Sequence, residues 1–597
     1  MKIKNILILA VMAGSFCACA DLINPSIENA QTEEQMFKDP ASAQGILGYA
    51  YGNLPFETKS TTDIATDDAV TNDLTNSYRR MSQGTWAANN NPVSQWDARK
   101  ITIQYLNLFL KHVEEVSWSK DARRQAMFVD KLRGEAYALR ALNMYYLLRN
   151  HAGWTADGQL LGVPIILEPE GVESDFNQPR ASFQACVEQI YADLDAAMEL
   201  LPFDYKKPAS DADVPKKYQD IGVATAEDYA VVFGDTFSGR ISGRICQTIK
   251  ALVSLLAASP AYADGTDVTY EQAANEAAAL LNTIGGVAGI DPTGYKWFMD
   301  KTTLDALGSG QNPLEILWRG SMNKGTESYA FGISQEQDNY PPTFYGNGRI
   351  NPTQNLVDAF PMANGYPITD GNSGYSAADP YAGRDPRLAE YVIYNGATYK
   401  GAQIITGSYA TDNNGLGKVS TSTRTGYYLR KLLRDDCNAD PSATNAQYHY
   451  PVYIRYTEIY LAYAEAANEA WGPTGKGNHG YSAYDVIKAI RSRAGIGVDG
   501  ADPYLDQCTT KEAMRELIRN ERRIELCFEN KRFWDVRRWK LDIDEPAMGV
   551  KVDQVGSALQ YNKFEVEPRS YQDYMYYGPI PESEVLKWSN LDQNAGW

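Results

Sequence analysis

Apolar positions along this chain recur mostly at helical spacing. The clearest stretch is Arg133 to Arg149, RGEAYALRALNMYYLLR. Ala136, Leu139, Leu142 and Tyr146 make one row, and Ala138, Leu142, Tyr145 and Leu148 make another. A helix apolar round most of its circumference has to be covered on more than one side. Ala136, Ala138 and Ala141 let neighbours approach closely, and the tyrosines fill the gaps between them. The pattern extends to a predicted helix from about Asp121 to His151, preceded by one from Trp96 through Trp118 and, earlier, a short one at Ser42 to Tyr51.

Helix pairs recur downstream. ASFQACVEQIYADLDAAMELLP at 181–202 reads as a helix capped by Ser182 and stopped at Leu-Pro. Gly243 to Ser259 and Tyr270 to Thr283 form one pair. Tyr453 to Trp471 and Ser482 to Ala494 form another, and AANEA occurs at 273–277 and again at 466–470. Alanine at contact positions suits tetratricopeptide-like pairs that bury their faces by stacking, although the spacing is irregular. Lys511 to Lys540 reads as one or two highly charged helices, and the last residues as a turn-rich tail. Between the pairs, Gly285 to Tyr450 is rich in Gly, Pro, Asn and Tyr, which predicts loops, short strands and short helices forming a lobe on the scaffold. The expected fold class is therefore mainly α: tetratricopeptide-like helix pairs with a large loop-rich insertion.

Composition narrows the function. The chain has 597 residues and 44% hydrophobic content, enough for a sizeable core. Its formal net charge of -19 argues against nucleic acid or an anionic membrane surface as partner. The charged run from Arg515 to Lys540 interleaves Glu516, Glu521, Glu525, Glu529 and Asp535 with its arginines, which predicts intrachain ion pairs; Trp534 and Trp539 there are expected to face the core. No later stretch is apolar for long enough to span a bilayer. The N-terminus reads as an export signal: Lys2 and Lys4, then a short apolar run, then SFCAC. Cys19 follows Ala18, with Phe16 three positions back, whereas Cys17 follows the bulky Phe16 directly. From Asp21 to Pro40 the chain is mostly polar and is expected to be an extended tether.

Motifs for catalysis are sparse. There are four histidines, and neither HExxH nor a G-x-S-x-G elbow occurs. GPTGKG at 472–477 lacks P-loop spacing. The 75 acidic residues make any glycosidase-like pair impossible to single out. Cys186, Cys246, Cys437, Cys508 and Cys527 are widely spaced, which predicts no CxxC zinc site and leaves room for one or two disulfides. Asp211, Asp213, Asp542 and Asp544 lack an EF-hand pattern, so no metal and no cofactor are expected.

Ligand chemistry concentrates in two loops. Carbohydrate recognition needs aromatic faces for sugar rings and amide, carboxylate or guanidinium groups for hydroxyls. Asp63 to Asn91 is long and polar, and within it lie Asp73, Asn76, Tyr78 and Trp86. Asp338 to Arg349, DNYPPTFYGNGR, carries Tyr340, Phe344, Tyr345, Asn347 and Arg349.

Several ordered segments together resemble the SusD/RagB family of outer-membrane lipoproteins of Bacteroidetes. They are GEAYALRALNMYYLL, GVPII at 162–166, RASF at 180–183, PTQNLVDAFPMANG at 352–365, GRDPRL at 383–388, TGYYLRK at 425–431, ERRIELCFENKRFWDVRRW at 521–539 and PIPESEV…LDQNAGW at 579–597. The resemblance covers nearly the whole chain. It implies a SusD-like α/α fold, a lipid on Cys19 at a lipobox, and residence on the outer membrane at the cell surface. It also implies non-catalytic capture of a glycan, delivered to a SusC-like TonB-dependent transporter, with ligand contacts in the two loops just described. The first loop lacks the tryptophan cluster of starch-binding members. An oligopeptide-capturing RagB-like role is the alternative within binding; a surface glycosidase or a purely structural transporter lid is the alternative from another class. The expected divisions are a signal peptide at 1–18, anchor and tether at 19–40, a SusD-like N-terminal helical region at 41–285, and a RagB/SusD C-terminal region at 286–597 that includes the lobe 286–450.

Overall fold

A computed structural model of the chain describes residues 33–57, 59, 61–308, 311–325 and 333–597; Cys19 and the expected signal peptide lie outside the described residues. Residues 33–38, expected to belong to an extended tether, are helical instead. Helices α1 (Glu33–Lys38) and α2 (Pro40–Gly52) are separated by Asp39, whose carboxylate accepts from the Ala41 and Ser42 amides. Phe37 is buried and stacks on His112. An aromatic in an otherwise polar stretch has docked that end onto the scaffold.

The scaffold continues with α3 (Trp96–His112), α4 (Ala122–His151) and α5 (Phe183–Leu200). Asp121 caps α4 by accepting from the Arg123 and Arg124 amides, and Ser182 caps α5 through the Ala185 amide. From Gly134 onward α4 is buried nearly all round. A Cβ at Gly134 would stand 2.8 Å from Leu201 Cγ, so the small residue sets the closeness of α4 and the end of α5. The charges on α4 are buried in company. Arg140 donates to both Asp193 oxygens on α5, at 2.8 and 2.6 Å, and to Asn107 on α3 at 2.9 Å. One guanidinium fork thereby registers three helices. Glu135 accepts from Tyr51 at 2.8 Å, Tyr205 at 3.2 Å and Arg240 at 2.9 Å.

Helix α6 (Ala226–Phe233), unpredicted, precedes α7 (Gly243–Ala258) and α8 (Tyr270–Leu281). The lobe holds α9 (Ser334–Asn339) among short strands and turns. The later pair is α10 (Tyr456–Trp471) and α11 (Ala483–Arg493), the latter with a Ser482–Asp485 capping box. Ala273, Ala274, Ala277 and Ala278 on α8 and Ala462, Ala464, Ala466 and Ala467 on α10 are buried where those helices pack together.

One local expectation needs correction, one is resolved, and one element was not expected at all. The predicted helix from Tyr453 begins only at Tyr456, because β-favouring Val452–Arg455 pairs antiparallel with Ile316–Arg319. The charged run is two helices, α12 (Lys511–Leu526) and α13 (Arg532–Arg538), parted where Phe528 and Asn530 take positive φ of 63° and 58°. The Asn530 side chain pins that break by accepting from the Thr61 and Thr62 amides. Finally, a hairpin at Ala547–Val555 and Ala558–Glu567 was missed, although Val550 and Val552 alternate with polar residues and Gly556 sits in the turn at φ 63°. The ion pairs of the charged run are largely buried and long-range. Glu525, for example, meets Arg387, Arg455 and Arg493. Trp539 is buried as expected, while Trp534 is half-buried. The five body cysteines are buried and free, and none of them forms a disulfide.

Candidate functional site

The two ligand-type loops meet at one end of a short ribbon. Strand Ala69–Thr71 pairs antiparallel with Ile350–Pro352, in the register Ala69–Pro352, Val70–Asn351 and Thr71–Ile350. Antiparallel pairing sends the chain out of Thr71 at the same end where it enters at Ile350, so both loops lie on that side. The Asn72 amide donates to the Asn347 carbonyl at 2.8 Å, and Arg349 donates to Asn72 Oδ1 at 3.3 Å. A third segment completes the rim. Asn414 Oδ1 accepts from the Thr343 amide at 3.1 Å, and Arg424 donates to the Thr71 carbonyl at 3.0 Å.

Within the first loop, Asp73 accepts from the Thr75 hydroxyl at 2.7 Å and its amide at 3.0 Å. Those bonds hold its carboxyl below the usual range, with Arg349 and Arg80 adding charge. Asn76 caps a single helical turn through the Tyr78 and Arg79 amides. Tyr78 is half-buried between two core clusters, and burial pushes its phenol up to about 12. Trp86 does not reach the rim. It is 4% exposed, its indole donates to Asn91 at 3.0 Å, and its ring meets the edge of Trp597. Both faces are spent on packing, so it offers none to a sugar.

The second loop divides in the same way. Tyr340 is fully buried, its hydroxyl donates to the Arg434 carbonyl, and its ring meets Phe344 and Tyr399 edge-on. It is a core residue rather than a platform. Phe344 is half-buried against Tyr399. Tyr345 turns outward, 58% exposed, with φ 61°. A Cβ at Gly346 would stand 2.1 Å from the Tyr340 carbonyl, so glycine is required to turn the chain there. Asn347 and Arg349 are half-buried and tied to Asn72. Trp86 and Tyr340 are thus withdrawn into the core, while Asp73, Asn76, Tyr78, Phe344, Asn347 and Arg349 are half-buried and Tyr345 exposed on the two joined loops.

A hollow of about 950 Å³, open to solvent, lies between the helical scaffold and the lobe, and none of the nine predicted residues lines it. Phe56, Tyr146, Trp297, Tyr453 and Trp534 supply aromatic walls. The Arg149 guanidinium sits 4.0 Å from the Trp534 ring and 4.3 Å from Tyr146. Burial raises the Glu57 carboxyl, with Arg149 opposing. Lys59 joins hollow and rim by pairing with Asp338 at 2.9 Å. Sequence reading missed this site because its residues come from distant segments. The one local signal was the aromatic and arginine content of RFWDVRRW.

Comparison with known proteins follows the same outline. Residues 31–214 match a family model described as "Starch-binding associating with outer membrane", and residues 314–597 match one described as "SusD family". SusD-like protein P2 of Formosa agariphila is 28% identical over 158 residues, 26% of this chain, and the match spans only 26% of that relative's length. A SusD-like protein from Bacteroides fragilis has a TM-score of 0.67 at 22% identity, covering 96% of this chain and 100% of its own. A SusD-like carbohydrate binding protein from the same species gives 0.67 at 20%, covering 93% and 99%. A laminarin-binding SusD-like protein gives 0.55 at 18%, covering 94% and 100%. At these identities the structural matches speak to the fold. With two family models covering most of the sequence, the chain belongs to the SusD/RagB family.

Proposed function

We propose that the protein is a non-catalytic, carbohydrate-capturing lipoprotein of the outer membrane, anchored through Cys19 and exposed at the cell surface. The rim formed by residues 72–80 and 343–349 holds the glycan, and a SusC-like TonB-dependent transporter receives it. The observation that carries this reading is the ribbon pairing of Ala69–Thr71 with Ile350–Pro352. It joins the loop that carries the exposed Tyr345 ring, Asn347 and Arg349 to the loop that carries Asp73, and that mixture of a stacking face with hydroxyl-binding groups supports the reading. The outer-membrane wording of the matching family description supports the location. Among the described residues no helix is long and apolar enough to cross a membrane, which accords with anchoring by lipid.

Peptide capture is the second reading. The hollow around Arg149 favours it, since Lys531 and Glu57 there present both signs of charge beside aromatic walls. Calorimetry on soluble protein starting at Asp21 decides between them. The panel contains malto- and laminari-oligosaccharides and short peptides, with product followed in parallel. Binding of an oligosaccharide without turnover, weakened by Tyr345→Ala, is the expected result. Glycan turnover overturns the non-catalytic reading, and binding of peptides alone moves the function to the hollow. Tight association with the co-expressed transporter and no ligand at all leaves a structural lid.

A further inference from the structure

Glu336 lies on α9 and Cys437 and His449 on a later segment of the lobe, yet their ligating atoms all lie within 4.8 Å of one another. All three are buried: Glu336 is 0%, Cys437 1% and His449 6% exposed. We propose that these three side chains form a zinc-binding site.

The hydrogen bonds around the trio orient it for a cation. His449 Nδ1 lies 2.9 Å from the Gln447 carbonyl, so that nitrogen carries the hydrogen and donates. Nε2 faces Glu336 Oε1 at 2.9 Å, and with no proton on it both atoms are acceptors. Two acceptors facing each other in the interior repel unless a proton or a cation sits between them. A backbone carbonyl fixing the far nitrogen is also the usual way a ligating imidazole is aimed. The same residue aims the sulfur, because the Gln447 amide donates to Cys437. Glu336 Oε1 accepts from the Arg434 amide at 2.8 Å, whereas its second oxygen, Oε2, is enclosed and has no hydrogen-bond donor. An orphaned carboxylate oxygen in the interior is costly, and a cation satisfies it.

The donor set selects the metal. Thiolate, imidazole and carboxylate together suit Zn²⁺, and three protein ligands leave one tetrahedral position for water. One dication with one thiolate and one carboxylate is neutral overall, which suits a buried position. The ion would tie α9, the element that opens into the Asp338–Arg349 loop, to the segment carrying Cys437 and His449. The proposal stands apart from the glycan reading and is tested without any sugar.

The experiment uses the soluble chain from Asp21, stripped with chelator and titrated with zinc against a chromophoric competitor, then with Co²⁺ while absorption is recorded. We expect one zinc per chain and a near-ultraviolet thiolate-to-cobalt charge-transfer band. Cys437→Ser should abolish the band, and His449→Gln should weaken zinc binding more than about tenfold. Circular dichroism checks that each variant is folded. Wild-type protein that binds no zinc, or binds it without the cobalt band, overturns the proposal by itself, as does zinc affinity unchanged in Cys437→Ser. In either case the pair His449–Glu336 is held by a shared proton instead.

Discussion

The side-chain amide of Asn72 donates to the backbone carbonyl of Asn347 at 2.8 Å, joining loops 275 residues apart. The same side chain accepts from Arg349. One asparagine therefore sets how the two halves of the rim face each other. Asn72→Ala should lower stability by only about 1 kcal/mol, the typical value of one such bond. Its larger effect should be on oligosaccharide affinity, since the loops lose their register. Calorimetry alongside thermal denaturation separates the two, and full affinity in a folded Asn72→Ala protein would place the ligand elsewhere.

Tyr345 tests the rim from the solvent side. Its φ of 61° is unfavourable for a residue with a Cβ, by about 1–2 kcal/mol. Tyr345→Gly should leave the melting temperature unchanged or higher while removing the stacking face. Affinity for the bound oligosaccharide should fall by up to about tenfold, in line with the stacking energy of one aromatic ring. A lower melting temperature would mean that the ring packs in solution and is not free for ligand.

Asp63 makes the fold less stable at neutral pH. Burial drives its carboxyl up to about 8; the Asn530 amide opposes this, and Asp68 and Glu57 add to it. One oxygen accepts from the Asn530 amide at 3.0 Å, and the other has no partner. A folded pKa above the unfolded value of 3.8 means that the folded chain binds the extra proton between pH 4 and 8. Stability from this group therefore declines as pH rises through that window. Asp63→Asn should stabilise the protein at pH 7 by on the order of a few kcal/mol, with the gain vanishing near pH 4. Urea unfolding at the two pH values measures it, and an equal effect at both would refute the assignment.

His151 has the opposite slope. Its Nδ1 donates to the Pro579 carbonyl at 2.7 Å, and Nε2 accepts from the Gln95 amide at 3.1 Å, which fixes the neutral ring. Burial lowers its pKa from 6.5 to about 4, with Pro579 opposing and Arg180 assisting. The unfolded chain takes up the proton first, so this contribution is complete above pH 6.5 and is lost as pH falls toward 4. In wild-type protein Asp63 masks the loss. In the Asp63→Asn background, stability should fall by roughly 2 kcal/mol between pH 6.5 and 5, above the range where most carboxylates titrate. A flat profile in that background would show that His151 is charged or exposed.

Arg387 joins the lobe to α12. It is fully buried and pairs with Asp385, Glu521 and Glu525. Burial would raise the Glu525 carboxyl, but Arg493, Arg455 and Arg387 outweigh it and hold that group well below the carboxylate range. Arg387→Met leaves two glutamates and an aspartate short of a partner in the interior. Chemical denaturation should show a loss of about 3–5 kcal/mol, the usual consequence of breaking one side of a buried pair. A loss under 1 kcal/mol would mean that water reaches the cluster.

Helices and caps were legible in the sequence because they rest on neighbours a few positions apart. The rows on Arg133–Arg149, the cap at Ser182 and the alanine pairs at 273–277 and 466–470 are local facts, and the scaffold followed from them. The loop-rich lobe was legible for the same reason, from its glycines, prolines and asparagines. The two ligand-type loops were recognisable by composition as well.

What composition could not decide was which aromatic faces water. Trp86 and Tyr345 are both candidate platforms in the sequence, yet Trp86 is covered by Trp597 from the far end of the chain while Tyr345 is turned outward by Gly346 and a left-handed backbone. The strand at Val452–Arg455 replaced a predicted helical turn because Ile316–Arg319 lies beside it. The meeting of the two loops, the hollow around Arg149 and the trio Glu336, Cys437 and His449 depend likewise on pairings across long stretches of chain. By itself the sequence determined the helices, because their periodicity is written within each segment. The tertiary structure alone decided exposure and juxtaposition, because burial is a property of what the rest of the chain brings alongside.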